Sequence, residues 1–588
     1  MWPFVERRPP TWLRPAAGLV AVFLLFAAFA AWLQWANGAY QSEFGEEADA
    51  AAHYVTALMV RDYIAAGLPA PPLEYAKDYY QHYPKIGLGH WPPMFYMLQA
   101  GWMLVFGVSR TSVLLFQAVL AGLLATALFA AARRQMPAVV GAVAAGVLLV
   151  HPTTQRLARE VMAELLTATL IFLALWCWWR FLETEAPRYA AAFGALAGMA
   201  LLTKGSAAML VPIPVLSVLV AGKFRLLGGR WVWLSGLLAG AIAAPWYLMA
   251  PGAMHQRAVP GLISADEAYV VRSGMRYLSL VGHGLAVWVL VGLAVLIAAR
   301  LLRRRPVEGI WAVGVSALAA MVLLRTLVPP ARELRHLLNV LPFWLLFAAA
   351  GLWWALSLGP LKRRPVRWRA AGAALLFVAL FALEFRPPPR KDCGGYKEVA
   401  RAILARPEWT ESVILVSSDA LGEGMLISEL AMRERRPGHI VLRGSKVLSA
   451  SSWFGWNARP LFSGPKQVGE FLSAVPVGLV VFDGEPMRPP AHHQMLQLAL
   501  RSGARSWELV GQFPQRRRPG DRRDGIYLYR LIGHEGTRPA QVPRQLSGGP
   551  ETGYSRLHPQ FQQAVRKRRN DHRSQSHQLH GQRPGTLG

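Results

Sequence analysis

Apolar runs about twenty residues long return along this chain, with tight groups of arginine and lysine between them; a helix of that length is what the hydrocarbon core of a bilayer requires. Hydrophobic residues make up 53% of 588, which excludes a soluble chain and specifies an integral membrane protein with extra-membrane parts. The first run, Ala16 to Trp35, is too long for the apolar core of a signal peptide. It ends in AWLQWANG without a small-residue cleavage site, so a retained signal anchor is expected.

The net charge of +29 invites a nucleic-acid reading, but its distribution does not support one. Arg7, Arg8 and Arg14 precede the first run; Arg133 and Arg134, Arg180 and Arg188, Lys223, Arg225 and Arg230, then the clusters Arg300 to Arg305 and Lys362 to Arg369 fill short gaps between later runs. Such spacing is the signature of membrane topology with basic loops on the cytoplasmic side. Alternation around these groups gives spans near 16–36, 111–132, 137–152, 164–181, 189–203, 206–222, 231–250, 283–300, 308–327, 337–357 and 370–386, about eleven crossings in a range of 11–13. Pro92 to Phe106 is only about fifteen residues and must be juxtamembrane or re-entrant. The expected fold is a polytopic α-helical membrane protein over 1–390, with a first outer loop at 37–110 and an extra-membrane C-terminal part on the far side from the N-terminus.

This topology collects ionisable residues on the outer face: Asp49, His53, Lys85, His90, Arg159, Glu160, Glu164, Lys204 and the group Arg332, Glu333, Arg335, His336. Each charge held within a span costs about 3 kcal/mol at its centre and less near its ends, so their gathering on one face points to a site. Asp49 and His53 are four residues apart, on one face of a helix whose apolar stripe is Ala51, Tyr54, Val55, Leu58 and Met59. Asp49 also suits a helix N-cap. The Asp49–His53 pair supplies two ligands for a divalent metal but lacks a third, which favours a hydrogen-bonding histidine. The aromatic residues from Tyr54 to Tyr96 suit an interfacial belt as well as sugar stacking.

Beyond PPPR at 387–390 the pattern changes. From about 391 to 533 apolar strands such as SVILVSS and GLVVFDG alternate with amphipathic stretches such as EGMLISELAMRERR, the pattern of a small α/β sheet covered on both faces. The turn SSDALGEG has a place for a phosphate at a helix start, although an ordinary strand-to-helix turn explains it better. Residues 534–588 carry no apolar periodicity and are expected to be disordered. Cys177 and Cys393 offer neither a disulfide framework nor metal-ligand spacing.

Several short motifs stand in order along the chain: Asp49 with AAAHYV after it, HWPPMFY at His90 to Tyr96, AREVMAE at Ala158 to Glu164, ALAGMALLTKG at Ala195 to Gly205, then APWY at Ala244 to Tyr247 and RHLL at Arg335 to Leu338. Together they resemble the GT-C membrane glycosyltransferases over about residues 10 to 360. The likeness is to the family-39 branch of protein mannosyltransferases, lipid A aminoarabinose transferases and Rgt-type glycosyltransferases. Ala50 stands where that branch often has a second acid, Trp91 where it often has lysine, and Glu164 where it usually has aspartate.

The resemblance implies transfer of a sugar from a polyprenyl-phosphate carrier to a hydroxyl of a lipid, glycan or protein. The reaction would run at the outer face of a bacterial inner membrane, with the α/β part periplasmic. It assigns Asp49 as the base that takes the acceptor proton, with Glu164 as a second catalytic carboxylate. Arg332, Arg335 and His336 are the candidates to meet the leaving phosphate, with Lys85 beside them; His53, His90 and Arg159 complete the substrate-binding set. Glu164 alternatively only pairs with Arg159 or Lys204. The other function classes are a transporter or flippase, which would show repeated halves, and a non-catalytic component of surface polysaccharide assembly.

Overall fold

The computed structural model describes residues 14–87, 89–249, 307–327, 334–450, 459–475, 477–486, 488–502, 506–516 and 523–533, with Gly292 and Ala294. The expected span at 283–300, Arg332 with Glu333, and the tail at 534–588 lie outside the described residues. The chain forms two compact units. One is Met1–Ser42, Thr56–Arg61 and Gly87–Asp392; the other is Glu43–Val55, Asp62–Ile86 and Cys393–Gly588. The first outer loop is therefore shared between the two.

The first unit is helical. Among the described residues, Gly18–Ala36, Arg110–Ala132, Glu164–Thr184, Arg230–Met249 and Val366–Glu384 are long and apolar enough to cross a membrane. A sixth crossing results if Ala138–Val150 and Pro152–Ala158, bent by 57° at their junction, count as one. The break is local chemistry: Pro152 has no amide hydrogen to continue the ladder, and His151 Nδ1 accepts from Thr153 N at 3.3 Å as the new N-cap. Met94–Phe106, Gly205–Ala221, Gly309–Arg325 and Leu341–Ala355 are shorter apolar helices.

Close helix approach is made by glycine. An added Cβ on Gly194 would lie 2.5 Å from the Ser235 carbonyl, and one on Gly198 2.7 Å from Ile242 Cβ. Four residues apart, both lie on the face that Pro187–Leu201 presents to Arg230–Met249, the small-residue packing on which helices rely where lipid removes the hydrophobic drive. Gly122 does the same against the Ala27 backbone, 2.7 Å away. Two hydroxyls inside the spans bond back to the preceding turn, Thr126 on Gly122 O at 2.7 Å and Thr167 on Ala163 O at 2.8 Å.

The second unit contains a five-stranded sheet built from β1 (Val413–Ser417), β2 (Val441–Arg443), β5 (Val477–Asp483), β6 (Trp507–Gln515) and β7 (Arg523–Leu531), with a short pair β3 (Ser449–Ala450) and β4 (Arg459–Pro460). The order is β2-β1-β5-β7-β6. β1 runs parallel to β2 and β5, and β7 is antiparallel to both β5 and β6. Every residue of β1 and of β5 is buried, as a strand covered on both faces requires. The core around Leu415, Leu442, Phe471, Val480, Phe482 and Leu496 packs one side. The loop before this sheet is fixed by Glu43, whose Oε1 accepts from Gly395 N at 3.0 Å and Lys397 N at 2.7 Å.

The glycine contacts give a direct test. Gly198→Ile should lower the melting temperature of the detergent-solubilised protein by several degrees, as overpacking of about 1–3 kcal/mol would. Gly240→Ala, at a site with open space around the added Cβ, should leave it unchanged or raised, and thermal unfolding of the two variants checks the contrast.

Candidate functional site

In the helical unit the motifs that are scattered in sequence meet at the turn Leu201–Ser206. Met94 N, closing the HWPPMFY turn, donates to Leu202 O at 3.0 Å. Tyr247 of APWY donates its hydroxyl to Leu201 O at 3.0 Å, and Asn339 Nδ2, just after RHLL, reaches Ser206 Oγ at 3.2 Å. Lys204 projects from the same turn and donates to Glu164 Oε1 at 2.6 Å. Arg335 Nε stands 3.6 Å from that oxygen.

Glu164 is 2% exposed and opens the Glu164–Thr184 helix. A carboxylate in a first helical turn is favoured by the helix dipole, and here two cations converge on it as well. Its Oε2 is buried and has no hydrogen-bond partner among the described residues. His336 lies beside the group; burial, with Arg325 and Lys204 adding to it, holds its imidazole well below the usual range, so the ring is neutral at pH 7.

Arg159 belongs to a neighbouring network instead of to Glu164. Its Nη1 donates to Pro389 O at 2.7 Å, and its own carbonyl accepts from Lys391 Nζ at 3.2 Å. Lys391 pairs with Glu160 Oε1 at 2.9 Å with both side chains fully buried. Of the two partners that the sequence offers Glu164, Lys204 takes the place and Arg159 does not. His90 is half-buried, its ring edge-on to Trp91 with centroids 4.6 Å apart.

Asp49, His53 and Lys85 all fall in the second unit. Asp49 is 5% exposed and is the second residue of the Ala48–Ala65 helix. Glu47 holds the N-cap position with extended backbone, so the N-cap reading of Asp49 gives way to that of a first-turn acid. His53 is buried one turn further on. Lys85 is fully buried, with Nζ donating to Ala420 O at 3.0 Å. Burial pushes its amine down to about 7; Arg443 acts in the same direction, and Glu423 and Asp49 oppose it.

The SSDALGEG turn is a capped helix start: Asp419 Oδ1 accepts from Leu421 N and Gly422 N, both at 3.0 Å, so the donors that a phosphate would need are occupied. Among the described residues no group of three His, Cys, Asp or Glu side chains is placed to hold a metal ion. The sequence offers Lys204 as a pairing partner of Glu164 and not as a substrate contact, and it gives no sign of Lys391 or Asn339, neither of which has a periodic pattern to mark it.

The motifs gathered at this turn are the ones that carry the sequence resemblance to the GT-C membrane glycosyltransferases, and comparison with known proteins points the same way. Residues 90–248 match the family described as dolichyl-phosphate-mannose-protein mannosyltransferase. That segment begins at His90 and ends just after Tyr247, so it contains the turn and all but one of the motifs that bond to it. The chain is similar in structure to ArnT from Cupriavidus metallidurans bound to undecaprenyl phosphate, with a TM-score of 0.54 and 14% identity over 89% of this chain and 100% of that one. Against the apo state of the same protein the TM-score is 0.52, with 16% identity over 89% and 100% of the two chains. None of the curated proteins matches the chain in sequence.

Lys204→Met tests the ion cluster. Removing one partner of a buried pair costs about 3–5 kcal/mol, whereas Arg530→Met breaks a pair with Glu508 in which both side chains are nearly half exposed and should cost about 1 kcal/mol or less. Denaturation of the purified protein should rank the variants in that order.

Proposed function

We propose that the chain is a glycosyltransferase that moves a sugar from a polyprenyl-phosphate-linked donor to a hydroxyl of a lipid, glycan or protein acceptor at the outer face of a bacterial inner membrane. The observation that carries this reading is the cluster of Lys204 and Arg335 on Glu164, at the turn where the family motifs converge. The GT-C fold supports it, as does the undecaprenyl phosphate in the ArnT structure. The same likeness favours a transferase over a transporter or flippase.

In this reaction the bond from the sugar C1 to the phosphate oxygen breaks and the phosphate leaves with the electron pair. The acceptor oxygen bonds to C1 as its proton passes to a base. Lys204, Arg335 and, outside the described residues, Arg332 are the cations proposed for the leaving phosphate. His336, neutral at pH 7, is a hydrogen-bond donor to it. Asp49 is the proposed base, and Glu164, with a buried oxygen to spare, orients the cations and takes a hydrogen bond from the bound substrate. His53 and His90 remain proposed contacts for acceptor or sugar. Arg159 and Lys85 direct donors to carbonyls of the protein, which supports structural roles for them.

Asp49→Asn keeps size and removes the proton acceptor. It should leave normally inserted protein whose transfer from the lipid-linked donor is reduced at least about a hundredfold, with a smaller loss in Glu164→Gln. Near wild-type transfer by Asp49→Asn would remove Asp49 as the base. The orientation has its own test: a reporter active only in the cytoplasm, fused after Arg530, should be silent, and strong activity there would reject a periplasmic α/β part.

A further inference from the structure

The loop that carries Asp49 and the C-terminal sheet are one compact unit although more than 300 residues of chain separate them. Their joint is specific. Arg436 Nε donates to Asp62 Oδ2 at 2.6 Å and Nη2 to Oδ1 at 3.3 Å, a two-point grip on the end of the Asp49 helix. Tyr79 donates its hydroxyl to the same carboxylate at 2.8 Å. Tyr83 donates to Glu434 Oε1 at 2.7 Å and accepts from Gly438 N at 2.9 Å.

At the other end of that helix the contact is steric. An added Cβ on Gly424, in the Ala420–Arg433 helix that follows β1, would lie 3.0 Å from Ala51 Cβ and 3.1 Å from Lys85 Cε. Ala51 is two residues beyond Asp49. Below this contact the fully buried pair Arg443–Glu423, at 2.8 Å, sends Arg443 Nη1 to Pro84 O at 3.3 Å. The first helix of the loop thus meets the α/β part at both ends, through the Arg436 guanidinium at Asp62 and through the close approach of Gly424 at Ala51.

We propose that the C-terminal α/β part is the scaffold that positions the Asp49 helix, with Arg436 and Gly424 as its positioning residues. The consequence for catalysis rests on the reading of Asp49 as the base; the consequence for structure does not. A base displaced by about 1 Å loses up to a hundredfold in rate, so a carboxylate on a surface loop needs rigid support, and the sheet supplies it.

The test uses the full-length protein. Arg436→Met should raise amide hydrogen exchange in the Pro72–His82 helix and at Asp62–Ala65 at least about tenfold while β1 and β5 keep wild-type protection. Transfer per inserted molecule should fall about tenfold or more with the donor KM unchanged. Arg436→Lys, which retains the charge on Asp62, should recover most of both, and Asp62→Asn reads the same bond from the other side if Arg436→Met does not fold. Gly424→Leu should loosen the helix from its other end. Unchanged exchange in the loop overturns the proposal, and so does faster exchange of loop and sheet in step, which would make Arg436 a residue of global stability. If the wild type transfers no sugar, the function reading fails and the exchange measurements still decide this one.

Discussion

A carboxylate in the first turn of an apolar helix is tolerable only when something neutralises it, and in this molecule that requirement organises the end of the helical unit where Glu164 lies. Lys204 reaches Glu164 at 2.6 Å from the turn in which the chain leaves the Pro187–Leu201 helix. The turn holds its place because Met94, Tyr247 and Asn339 each bond to it from a different part of the chain. Gly194 and Gly198 bring Arg230–Met249, and with it Tyr247, close enough to do so. The ion pair, the small-residue helix contact and the motif order are therefore one construction.

Much of this was legible in the sequence, because apolar period and charge placement are strong local signals. The runs at 111–132 and 231–250 are the helices Arg110–Ala132 and Arg230–Met249, and SVILVSS contains β1. Boundaries that depend on single residues were less readable. The run at 137–152 stops at Val150 since Pro152 begins a new helix with His151 as its cap. Asp49 looked like a cap, yet the extended backbone falls at Glu47, two residues earlier.

The partnerships were not legible at all. Nothing in PPPRKD says that Lys391 will be buried on Glu160, and nothing in MVRDY says that Asp62 will meet Arg436. Such pairs join segments far apart in sequence, and their only trace is an ionisable residue in a place that burial will later make expensive. Glu160, Glu164 and Lys204 carry that trace visibly, because a charge beside an apolar run is conspicuous. Asp62, Glu423 and Arg443 do not, since they lie in stretches where charge is ordinary.

The two networks divide their charges differently. Among the described residues, Glu164 meets two cations, Lys204 and Arg335, while His336 beside them stays neutral. At Glu160 the pair is with Lys391, both side chains fully buried, while the Arg159 guanidinium rests on the Pro389 carbonyl. In the first, Arg335 sits 3.6 Å from a carboxylate oxygen already bonded to Lys204, and the other oxygen of Glu164 has no hydrogen-bond partner among the described residues. Holding two cations on one buried carboxylate carries a desolvation cost, which the bonds that fix the turn have to offset.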